Sequence, residues 1–141
     1  MNPLIERLTA KGVGVIEYEN QGEQARQTWR RRFISTGQQG RLWPYLWEHL
    51  GNEALCGEEA DLAMHRAAKW TCLVFFQHSD DVLELDLTQA KPIARKDLIV
   101  ATMDYADVYI VDPAYTWTYV IPHQADWGPY FLTKLGIKGD D

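Results

Sequence analysis

Apolar residues recur every three to four positions over the first half of the chain and every second position over much of the rest. Leu4, Ile5 and Leu8 form one helical stripe behind Asn2 and Pro3, a favourable helix start, and Gly12 closes it. Residues 13–18 alternate as a short strand. After Gly22, the residues Ala25, Trp29 and Phe33 stand four apart, so a second helix buries that face. Its other face carries Arg26, Arg30 and Arg31. Residues 35–40 are rich in Ser, Thr, Gln and Gly and read as a loop, while 42–50 read as a short helix with Pro44 in its first turn. A further helix is expected over 57–69. Glu58, Glu59 and Asp61 sit at its start and Arg66 and Lys69 at its end, which complements the helix dipole.

From Trp70 the period changes. Residues 70–77 are apolar on both faces, rich in aromatic and β-branched side chains, and are expected to form the central strand. His78, Ser79, Asp80 and Asp81 make a polar turn, and residues 82–87 then alternate with Leu83, Leu85 and Leu87 inward. Residues 91–103 suit a helix or a strand, with a helix favoured. A second hairpin is expected from 107–112 and 116–121 around Pro113, Ala114 and Tyr115. Helices first and an antiparallel meander of hairpins afterwards predict one α+β domain over residues 1–141, with the N-terminal helices packed on one face of the sheet.

Composition narrows the class. The 141 residues are 46% hydrophobic and 24% charged, the balance of an ordinary globular domain. Lys plus Arg number 14 and Asp plus Glu 20, a net charge of -6, which argues against phosphate neutralisation and so against a nucleic-acid partner. The first eleven residues do not read as a signal peptide, and no apolar run reaches the length of a membrane span. With only Cys56 and Cys72, the thiols are expected to be reduced and the chain cytoplasmic.

The strand Asp107-Val108-Tyr109-Ile110-Val111-Asp112, the strand Trp117-Thr118-Tyr119-Val120 and the close Trp127-Gly128-Pro129-Tyr130-Phe131 resemble a small bacterial family, the domain of unknown function numbered 4275. The resemblance is clear over the last third of the chain and loose over the helical half. It departs where Gln124, not an acidic residue, follows His123. It implies a single bacterial domain and carries no activity.

No Gly-rich phosphate loop, nucleophile elbow or zincin motif occurs. Asp61 and His65, four apart on a helix, and His78 with Asp80 and Asp81 could touch a metal. A solvated pair and an ordinary polar turn explain them better, so no metal or cofactor is expected. Cys56 stands before a helix start that would activate a thiol, yet Glu58 and Glu59 oppose the effect. Arg30, Arg31 and Arg32 fan around a helix and form no stripe.

Charge distribution is more informative. Residues 1–69 carry nine basic and nine acidic side chains, and residues 70–141 five and eleven, so the whole net charge lies in the sheet-forming half. Asp104, Asp107, Asp112 and Asp126 stand there near Trp117 and Trp127, which nominates these six residues as a binding face for a basic protein. The expected function is therefore non-enzymatic binding of a macromolecule, in its sharpest form an immunity or inhibitor protein that neutralises a basic toxin. The alternative is a small-molecule binder or enzyme with a pocket between helices and sheet.

Overall fold

The computed structural model describes residues 3–33, 54–99, 107–122 and 128–133. Helix α1 (Pro3–Ala10) buries Leu4 and Leu8. It stops where Gly12 takes φ +89°, a left-handed value that costs a glycine little. The N–H groups of Lys11, Gly12 and Val13 then turn back onto the carbonyls of Leu8 and Thr9 at 3.0–3.1 Å.

Strand β1 (Gly14–Tyr18) leads to α2 (Gly22–Phe33), then β2 (Leu55–Cys56), α3 (Glu58–Ala67), β3 (Thr71–Phe76) and β4 (Val82–Asp86). The short helix α4 (Arg95–Leu98) precedes β5 (Val108–Val111), β6 (Trp117–Ile121) and β7 (Tyr130–Thr133). The strands form one sheet in the order β1-β4-β3-β5-β6-β7-β2, with every pair antiparallel. The chain is α+β, and both expected hairpins are present. Leu73 opposes Glu84 in the first, and Ile110 opposes Tyr119 in the second.

Three expectations need correction. Helices cover both faces of the sheet, not one. Val74, Phe76, Leu83, Leu85 and Ile110 pack with α1, α3 and Leu98. Their alternates Phe75, Val82, Tyr109, Val111 and Val120 pack with Ala25, Trp29 and Phe33 of α2. The reason is that the middle strands are apolar on both sides, so each side requires cover. Second, β3 is interior, between β4 and β5, but the middle position of the seven belongs to β5, buried at all four residues. Third, of the helix expected within 91–103, the described residues 91–99 form only Arg95–Leu98, and Ile99 is already extended. Asp97 sets its start by accepting the Ala94 N–H at 2.8 Å, and Lys11 Nζ pairs with the same oxygen at 2.9 Å.

The two-residue β2 was not foreseen. It pairs with β7, Cys56 opposite Tyr130, and puts Cys56 in a strand before α3. The loop and helix expected over 35–50 lie outside the described residues.

Candidate functional site

Three of the six nominated residues are described, and these three do not form one open surface. Asp107 is fully buried at the head of β5, where its carbonyl accepts the Gln77 N–H at 3.1 Å. Asp112 organises the β5–β6 turn. One of its oxygens accepts the N–H groups of Thr116 and Trp117 at 2.6 and 3.1 Å, and the other accepts the Thr116 hydroxyl at 2.6 Å. Trp117 is half-buried and stacked on Phe131, ring centroids 5.7 Å apart. Asp104, Asp126 and Trp127 lie outside the described residues. Alternation alone could not separate a turn-capping aspartate from a partner-facing one.

The other candidates have structural occupations as well. Asp61 accepts the Tyr119 hydroxyl and pairs with Arg95. Asp80 pairs with Arg26 Nη2 at 3.1 Å, and Ser79 Oγ accepts the Asp81 N–H. Arg32 Nε donates to the Tyr115 carbonyl at 3.4 Å. Among the described residues no three His, Cys, Asp or Glu side chains come together as metal ligands.

An acidic, aromatic cleft does form, on the α2 side of the sheet. It holds about 350 Å³ between α2 and the β1–β4–β3 edge, lined by Tyr18, Gln21, Gln24, Thr28, Leu73, Glu84 and Tyr115. Glu84 is its single charged group. The Tyr18 hydroxyl donates to Glu84 Oε1 at 2.9 Å, and this bond, the carboxylate's charge and some burial hold the Tyr18 phenol above its usual pKa. Burial likewise raises Tyr115. Glu19, Glu23 and Asp86 are exposed on or next to β1, α2 and β4, and Arg31 and Arg32 at the end of α2 bond the Thr28 hydroxyl and the Tyr115 carbonyl, so both signs of charge border the cleft.

Tyr115 reaches this cleft through strained backbone. Its φ is +56°, a region that disfavours residues with a Cβ. Its N–H donates to the Asp112 carbonyl at 2.9 Å, and Arg32 holds its own carbonyl. The outward alternation of Glu84 and Asp86 was legible in the sequence. That Tyr18, more than sixty residues away, stands beside Glu84 was not, because the β1–β4 pairing leaves no local mark.

The thiols differ sharply. Cys56 is exposed and free, and Cys72 is buried and free. Burial, with the charge of Asp112, pushes Cys72 up to about 12 from 9.0. A thiol reagent should therefore label one site in the native protein, Cys56, and reach Cys72 only on unfolding. Because the folded pKa is raised, the stability from the neutral Cys72 thiol is full below pH 9 and is lost as pH climbs towards 12. Cys72→Ala should flatten that part of the alkaline decline, read by urea denaturation at several pH values. An unchanged slope would show that other groups set it.

Among the described residues no helix is long and apolar enough to cross a membrane. No curated protein and no solved structure matches the chain. One family model does, over residues 2–131, and its description is a domain of unknown function, DUF4275.

Proposed function

The chain belongs to the DUF4275 family, and from that footing we propose that it is a non-enzymatic binding protein for a basic protein partner, acting in the cytoplasm as an immunity or inhibitor protein. The observation that carries this reading is Tyr115. It is kept at positive φ, where glycine would be free of strain, and its side chain both packs against the α2-side core and forms part of the cleft wall. Tyr115 lines the cleft that also holds Tyr18 and the Glu84 carboxylate.

A Lys or Arg side chain of a partner fits that arrangement. The carboxylate supplies the counter-charge and the phenol rings supply faces for a cation, worth ~0.5–2 kcal/mol each when desolvated. The net charge of -6 adds steering over a Debye length of about 8 Å at physiological salt. Asp107 and Asp112, being buried or committed to the turn, contribute to this field and not to contact.

The test is association and dissociation kinetics with each basic protein encoded beside the gene, at low and physiological salt. Glu84→Gln should slow association and reduce its salt dependence. Tyr115→Gly should accelerate dissociation roughly tenfold or more, the scale of an aromatic anchor. The relief of the φ penalty offsets part of the lost packing, so the fold should change little. Wild-type kinetics in both variants would overturn the cleft as the docking site.

A further inference from the structure

A second cavity system lies on the opposite face of the sheet and does not rest on the partner reading. Here α3 runs beside the segment 87–98. One cavity of about 270 Å³ has an apolar floor of Met64, Ala68, Leu87 and Ala90. It adjoins another of about 340 Å³ that reaches Leu98 and Tyr119, and the two share Met64, His65 and Ile93. Joined, they reach the size of ordinary small-molecule sites, ~300–1,000 Å³.

Their charge runs against that of the chain. In a protein of net charge -6, the walls carry Lys69, Lys91, Arg95 and Lys96 against one carboxylate, Asp61. That carboxylate is satisfied from within. The Tyr119 hydroxyl donates to Oδ1 at 2.5 Å, and Arg95 Nη2 pairs with Oδ2 at 3.1 Å. Burial, then the bond to Asp61, lifts the Tyr119 phenol far above its usual pKa, so it remains a donor and Asp61 its acceptor. The pair with Asp61 uses one part of a guanidinium that has five N–H donors.

The basic side chains stand on a fixed frame. Arg7 Nη1 donates to the carbonyls of Lys96 and Ile99 at 2.9 and 2.7 Å, and Lys11 pairs with Asp97 at 2.9 Å. These contacts tie α4 to α1, so Arg95 and Lys96 are held at the groove by backbone that is already ordered. Ordering cost on binding is correspondingly small.

We propose that this groove binds a small amphiphile whose apolar body lies over Met64, Leu87, Ala90 and Ile93 and whose single anionic head, carboxylate or phosphate, sits against Arg95 and Lys96. The stems of Lys69 and Lys91 extend the apolar wall, and their ammonium groups add to the positive field. A neutral head would leave the field unused, and a bare anion would leave the apolar floor wet.

The experiment is an amide NMR titration of the full chain with octyl phosphate, octanoate, octanol and inorganic phosphate. The two anionic amphiphiles should saturate, with shifts at Met64, Ile93 and Arg95, and the tighter of them identifies the head. Octanol and inorganic phosphate, each carrying half of the recognition, should bind roughly tenfold or more weakly. Arg95→Gln should weaken the amphiphiles and also leave Asp61 without its cation. Lys96→Gln, which keeps Lys11 paired with Asp97 and removes only a weaker attraction to that carboxylate, should weaken them severalfold on its own. Octanol binding as tightly as the anionic amphiphiles, shifts centred elsewhere, or unchanged affinity in Lys96→Gln would overturn the proposal.

Discussion

Replacing Trp29 by alanine should destabilise the protein by about 3–5 kcal/mol, a large share of the ~5–15 kcal/mol that holds a domain folded. Trp29 is 0% exposed and central to the α2 face of the core. Its ring meets Tyr109 edge-on at 5.3 Å and Phe33 at 5.7 Å. Its Nε1–H donates to Thr118 Oγ1 at 2.8 Å, and that hydroxyl donates onward to the Ile110 carbonyl at 3.0 Å. The substitution therefore removes apolar area, opens a cavity and strips one donor from a buried chain of hydrogen bonds. Urea denaturation measures the loss. Trp29→Phe retains most of the packing and gives up only the N–H, so it should cost about 1–2 kcal/mol. Equal losses in the two variants would mean that the hydrogen bond, not the ring, anchors α2.

Gly22→Ala is the second large effect. A Cβ at this position would stand 2.5 Å from the Ser79 carbonyl oxygen and 2.6 Å from the Asp80 Cα, both backbone atoms that cannot swing aside. Close approach is required here because the Gln21 and Gly22 N–H groups both donate to the Asp80 carbonyl, at 2.9 and 2.8 Å. Arg26 reinforces the seam by donating to the carbonyls of Phe76 and Ser79 at 2.9 and 2.7 Å. Adding one methyl should cost about 1–3 kcal/mol or more, as overpacking against rigid backbone does. Gly14→Ala is the control. Its Cβ would meet only the Asp86 Cβ at 3.4 Å, so it should be nearly neutral. Since Gln21, Gln24 and Thr28 wall the acidic cleft, Gly22→Ala should also weaken partner binding beyond its effect on stability. A melting temperature equal to that of Gly14→Ala would show that the α2 entry is loosely seated.

Much of the local structure was legible. The stripe of Leu4 and Leu8, the four-residue spacing of Ala25, Trp29 and Phe33, and the alternation of Leu83 and Leu85 each announce an element, and each of these residues is buried. Periodicity works because it reports which side of an element meets water. It failed where the signal is short or shared. Four residues of α4 cannot show a helical period, and two residues of β2 cannot show any.

The binding residues were harder to identify for a related reason. An aspartate that caps a turn and one that faces a partner have the same letter and similar neighbours, so Asp112 read as surface charge when it serves the backbone. The positive φ of Tyr115 leaves no mark in the local sequence.

By itself, then, the sequence determined the α+β class, the two hairpins, the buried stripes and the negative net charge, because these depend on local spacing and on sums over residues. The tertiary structure alone decided that α2 crosses to the opposite face, that β1 adds to the edge beside β4, and that Tyr18 meets Glu84 and Asp61 meets Tyr119 and Arg95. The side-chain pairings join residues 34 to 66 apart in the chain and β1 meets β4 across 64 to 72, and they arise because both apolar faces of the middle strands must be covered at once. No local pattern says which segment will cover which face.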